Sequence, residues 1–188
     1  MRTSHFPRAV FALAGGLFIT FSQSHAAVIG LSVFIAFALL TSVSTFLVER
    51  RAASKKLLAL SMVNLIGGLL GLAAFIQSGG FGTDWYAVAP SGETYSPDIS
   101  QLGLFLTIVA GWAIVVGAIE IYLASKEGFS ELSGRDFLIS AFFSLALAAL
   151  FLLVAPDVVS SVGFFGAYLI LLGVHWGIAA FGEGKKLG

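Results

Sequence analysis

The stretch ALAGGLFITFSQSHAAVIG, residues 12–30, decides how many helices this chain has. Arg2 and Arg8 precede an apolar run, and Ser24-His25-Ala26 offers a small-x-small site, so the segment reads as a secretory signal cleaved after Ala26. It reads equally as the turn between two membrane helices. Cleavage leaves five spans, retention six.

Working outward, 58% of the 188 residues are hydrophobic and only 11% are charged. A soluble domain carries about 25% charged residues, too many for this chain to match over a water-facing surface. The composition therefore predicts an integral membrane protein. There is no cysteine, which excludes disulfides, thiol catalysis and cysteine-held metals.

Apolar runs occupy residues 9–23, 28–48, 57–76, 101–124, 137–155 and 159–181. Hydrocarbon offers a free backbone amide no partner, so each run is expected to be helical. With six spans, all ten basic residues fall on one side: Arg2, Arg8, Arg50, Arg51, Lys55, Lys56, Lys126, Arg135, Lys185 and Lys186. Basic residues near span ends are retained in the cytoplasm, which predicts two cytoplasmic termini. Cleavage would not change the direction of the later spans, so charge alone does not choose between the readings.

Internal similarity does. The segment from Arg8 to Arg50 and the segment from Arg135 to Phe181 each have a basic residue, an apolar helix, a short polar turn (SQSHA or APDVVS) and a second helix rich in small residues. The segment from Lys56 repeats the pattern with a longer turn. The expected architecture is all-α: one membrane domain over residues 1–188, six transmembrane helices arranged as three tandem hairpins at about 8–50, 56–124 and 135–182. In that reading the first helix is retained.

Three hairpins that each open on a basic residue and close on a glycine-spaced helix, such as GWAIVVGAIEI (111–121) or GAYLILLGVHWGI (166–178), resemble the HdeD-like family of short-repeat bacterial membrane proteins. The third hairpin, with Pro156 in its turn, carries the likeness best. The resemblance implies a bacterial plasma (inner) membrane location and a non-enzymatic role in tolerance of acid or envelope stress. It carries over no catalytic set. The chain departs from the pattern at Ser24-His25-Ala26, where a proline turn is expected, and in the long loop at 77–100.

Within the spans, small residues are the most numerous signal. Gly67 and Gly71, and Gly173 and Gly177, are spaced four apart, which lets helix backbones approach closely within the monomer or across an oligomer contact. Gly111 and Gly117 give a looser version of the same pattern. Glu120 is the acidic residue inside a span, about 6 Å from the end of its run at 1.5 Å per residue. It is expected near the interface, beside Lys126 or the ERRAASKK loop (49–56), or else in a polar cluster with His175 and Asn64 in the same half of the bundle. His175 alone reads as a histidine bonded to a backbone carbonyl, and Asn64 as an interhelical hydrogen-bonding residue worth about 0.6 kcal/mol.

The loop SGGFGTDWYAVAPSGETYSPDIS (78–100) concentrates Trp85, Tyr86 and Tyr95 with three carboxylates and no basic residue. Aromatic anchoring at the outer headgroups, a small β-hairpin and a contact for a membrane protein partner all fit it. The sequence has no phosphate-cradling glycine loop, zinc His-Glu-x-x-His or nucleophile elbow, so neither an enzyme nor a cofactor or metal site is expected. The basic clusters sit where anionic lipid attracts them, leaving no argument for nucleic acid. Three functions remain: the stress protein, a small transporter or channel for protons or a neutral or weakly acidic solute, and an accessory subunit of a membrane complex.

Overall fold

In the computed structural model, residues 2–23, 25–51, 57–80, 99–154 and 157–182 are described. They form six helices: α1 (Arg2–Phe21), α2 (Ala27–Arg51), α3 (Leu58–Gln77), α4 (Ile99–Glu127), α5 (Leu132–Ala149) and α6 (Val158–Gly182). A π-helical turn, Leu150–Val154, extends α5. No strand occurs among the described residues. The loop residues Trp85, Tyr86 and Tyr95, and the hairpin expected there, lie outside them.

The outside of the bundle is apolar. Phe21 and Leu153 are 80% and 83% exposed, and Ile76, Phe142, Ile178 and Phe181 also point outward. Only lipid makes such a surface favourable, and the protein is membrane-embedded. α2 to α6 are each long and apolar enough to cross a bilayer, whereas the apolar part of α1, His5–Phe21, is shorter. At 1.5 Å per residue that part rises about 25 Å, close to the thickness of a hydrocarbon core.

Successive helices run antiparallel. Gln101 at the start of α4 donates from Nε2 to the Ser78 carbonyl just past α3 (3.1 Å), so the long loop begins and ends at one place. At the other end the Leu57 amide donates to Glu49 Oε2 (3.2 Å), fastening α3 to α2. That second end carries Arg50, Arg51, Lys126 and Arg135 and is called the basic end below.

The tightest seams do not lie within the three sequential hairpins. α1 packs most extensively on α6, α4 on α5 and α2 on α3, while α2 also touches α4 and α6. Glycines explain the choice. A Cβ at Gly16 would come within 2.9 Å of the Gly166 carbonyl, and one at Gly173 within 2.9 Å of the Leu13 amide, so α1 and α6 meet backbone to backbone. Gly68 receives Leu39, and Gly71 receives Ile35 and Phe34, on the α2–α3 seam. Ser42 and Ser61 lock that seam by donating to each other's carbonyls at 2.7 and 2.9 Å. Gly117 takes Leu145 between α4 and α5.

The α4–α5 turn depends on Gly128, whose φ of 96° suits a residue without Cβ, and whose amide donates to the Ala124 carbonyl at 3.0 Å. α6 starts on Asp157, whose Oδ1 accepts from the Val159 and Ser160 amides at 3.0 and 3.1 Å while Oδ2 accepts from the Ser160 hydroxyl at 2.6 Å. This N-cap satisfies donors that the first turn leaves free. The Ser160 hydroxyl first, and then its amide, hold the Asp157 carboxyl below the usual aspartate range. A depressed folded-state pKa contributes stability above the unfolded value and loses it as pH falls through the folded one. Asp157→Asn is therefore expected to lower the melting temperature at neutral pH and to be indistinguishable from wild type in acid, as thermal scans at several pH values would report.

Aromatic rings fill the middle of the bundle. Phe34 meets Trp112 (centroids 5.2 Å) and Phe165 (6.1 Å), Phe105 meets Phe165 (5.8 Å) and Phe151 (5.7 Å), and Phe37 stacks on Trp176 (6.4 Å). Phe34, Phe105 and Phe165 are fully buried.

Candidate functional site

Below that aromatic layer, toward the basic end, the bundle encloses charge. Arg8 lies in the second turn of α1, directly after Pro7, which has no amide hydrogen to give the preceding turn. Its Nη2 is 3.8 Å from Glu120 Oε1 on α4, and the two side chains are 3% and 1% exposed. The guanidinium carbon sits 3.9 Å from the centre of the Trp176 ring on α6. Trp176 is held by its own Nε1, which donates to Ser140 Oγ on α5 at 3.0 Å. Residues from four helices thus position one buried ion pair: a carboxylate to neutralise the cation and an indole face to stabilise it where water is excluded.

Glu120 therefore does not lie at the interface beside Lys126. Lys126 rests instead over the Tyr122 ring, 5.4 Å from its centroid, on the exposed side of α4. The partner is Arg8, in the second turn of α1, whose place in the sequence groups it with the basic residues at span ends. Arg8 was legible in one respect: an acidic residue inside a span commonly pairs with a cation, and Arg8 directly adjoins the apolar run 9–23, with Phe6 and Pro7 before it.

Asn64 and His175 take other partners. Asn64 donates from Nδ2 to the Leu60 carbonyl at 2.9 Å and accepts at Oδ1 from Trp112 Nε1 at 3.0 Å, joining α3 to α4. His175 Nε2 donates to the Asp136 carbonyl on α5 at 3.0 Å, and its ring meets Phe143 edge-on at 6.4 Å. Glu120, His175 and Asn64 occupy the same half of the bundle without hydrogen-bonding to one another among the described residues. Replacing Asn64 by Leu is expected to cost about 1–3 kcal/mol, because the buried Trp112 N–H loses its acceptor. Adding Trp112→Phe should recover part of the loss in a denaturant titration.

The glycines divide similarly. Gly67 accommodates the Trp112 ring, Gly71 the α2 side chains and Gly173 the α1 backbone, whereas a Cβ at Gly177 would meet nothing within 4 Å. Gly177 and Gly111 face outward, and Gly16 and Gly166 take the seam role that spacing alone assigned to Gly177.

Two further hydroxyls are buried in the same half of the bundle. On α2, Thr41 and Thr45 are 0% and 1% exposed and continue the face of Phe34 and Phe37 toward the basic end. Phe37 touches Trp112 (6.0 Å), and α2 and α4 run parallel, so eight residues further along each helix Thr45 stands level with Glu120. Among the described residues, Glu120 Oε2, Arg8 Nε, Thr41 Oγ1, Thr45 Oγ1 and His5 Nδ1 are buried without a hydrogen-bond partner. No group of three or more metal-ligating side chains occurs among the described residues.

No protein-family model matches the chain, and neither curated proteins nor solved structures give a match to it.

Proposed function

We propose that this chain is a non-enzymatic protein of a bacterial plasma membrane, crossing it six times with both termini cytoplasmic, and that it supports tolerance of acid or envelope stress as its likeness to the HdeD-like family suggests. The buried Arg8–Glu120 pair is the observation that carries the reading. Ionisable groups inside a membrane bundle are costly and mark functional positions by default. Here a carboxylate, able to take up a proton, sits against a cation on the side where the basic residues lie, under an aromatic layer that fills the bundle's middle. That arrangement suits an element that responds to acid in a closed bundle better than an open pore. The bilayer is its first partner. A second copy or another membrane protein fits the outward glycines Gly111 and Gly177 and the aromatic loop.

A transporter or channel for protons or a small neutral or weakly acidic solute is the second reading, favoured by the unpaired polar atoms on Glu120, Arg8, Thr41 and Thr45. One experiment separates the two. Purified protein in liposomes is followed for internal pH after an external acid jump, beside Glu120→Gln and empty vesicles. Acidification no faster than in empty vesicles is the expected result. Entry above that level, lost in Glu120→Gln, would overturn the closed-bundle reading in favour of transport. In cells, deletion is expected to spare unstressed growth and to lower survival of an acid challenge.

A further inference from the structure

We infer that Arg8, Glu120, Thr41 and Thr45 form a buried hydration site, in which water bridges the guanidinium and the carboxylate. The inference concerns the site itself and does not depend on the stress role.

The separation is the first ground. At 3.8 Å, Arg8 Nη2 and Glu120 Oε1 attract each other as charges but are beyond hydrogen-bond reach, and a polar contact of that length fits an intervening water. The chemistry of the unpaired atoms is the second. Glu120 Oε2 requires a donor and Arg8 Nε an acceptor, while the Thr41 and Thr45 hydroxyls can serve as either. One small neutral molecule that both donates and accepts satisfies both charged groups, and water is the smallest. Placement is the third. Thr45 is level with Glu120 on a face whose previous turns, Phe37 and Phe34, meet the α4 and α6 rings. Buried polar atoms are paired almost without exception, so unpaired atoms on α1, α2 and α4 in one half of the bundle point to a shared partner.

Water there gives Glu120 a proton donor and acceptor of its own within an otherwise apolar interior. The charge that faces it is Arg8 from α1, and Tyr168 from α6 is the neutral phenol on which the Glu120 charge acts. His5 precedes Arg8 on α1 and so lies nearer the basic end, while His175 on α6 is turned to the Asp136 carbonyl of α5. On α2, Glu49 is already engaged by the Leu57 amide. α3 and α5 bring the neutral groups Asn64, Ser140 and Ser144.

Thr45→Val tests the site, because valine keeps the shape and removes only hydrogen bonding. If the hydroxyl binds water held by the ion pair, the melting temperature of the purified full-length protein falls by roughly 2–4 °C. The fall should disappear when Arg8→Met and Glu120→Leu are both present, since no charges then hold the water. A melting temperature unchanged or raised by Thr45→Val would overturn the proposal, because an unpaired hydroxyl in a dry core is better replaced by a methyl group. A second readout needs no destabilised background. Infrared difference spectra on exchanging ordinary water for its oxygen-18 form should contain bound-water bands that Glu120→Gln removes. Spectra without such bands would also overturn it.

Discussion

Glu120→Leu with Arg8 left in place is expected to destabilise the protein by about 3–5 kcal/mol. The cost comes from the group left behind. Arg8 is 2% exposed, its guanidinium is pressed against Trp176, and without the carboxylate its charge has no compensation in a medium of low dielectric. Adding Arg8→Met removes that charge, and the double variant should regain most of the stability, because an apolar replacement of both partners is often neutral or favourable. Denaturant unfolding of the two single variants and the double variant completes the cycle. If the single variants lost no more than an exposed pair does, under about 1 kcal/mol, the charges would be solvated and the site would not be a buried one.

Gly16→Leu is the second large effect, expected at about 1–3 kcal/mol or more, through the α1–α6 seam. Its Cβ would stand 2.9 Å from the Gly166 carbonyl and 3.0 Å from the Ile170 amide, both backbone atoms that cannot rotate away. The helices must separate, and separation also withdraws Arg8 from Glu120, since both contacts hold the same helix. Because the chain has no cysteine, a Phe6→Cys and Phe181→Cys pair reports the seam cleanly; the two rings meet edge to face with centroids 6.2 Å apart. Joining by a short bismaleimide is expected in the parent and should fall sharply with Gly16→Leu. Equal joining in both would mean that α1 stays docked despite the larger side chain. By contrast, Gly177→Leu, on an outward face, should change neither joining nor stability.

The site was only partly legible before the fold was known. Glu120, Asn64 and His175 stood out because polar side chains are conspicuous in apolar runs. Their partners did not. Asn64 binds Trp112, 48 positions along the chain, and His175 binds a backbone carbonyl, a group every residue carries. Glu120 pairs with Arg8 across 112 positions, and Arg8 near the start of its run resembled the other basic residues at helix ends. Thr41 and Thr45 passed unnoticed, because threonines in membrane helices commonly bond their own backbone and only burial reveals that these do not.

The sequence by itself determined the helices and the solvent around them. Backbone hydrogen bonding in hydrocarbon must be satisfied within each segment, so a run of apolar residues fixes its own secondary structure without reference to the rest of the chain. Only the tertiary structure decided which helices meet. Lipid is as apolar as the side chains, so helix faces are chosen by close packing and by buried polar contacts, and both depend on residues far apart in sequence. Three tandem hairpins can be read from the order of the helices; that α1 closes on α6 through Gly16, Gly166 and Gly173, carrying Arg8 to Glu120, is set by shape and charge meeting in space.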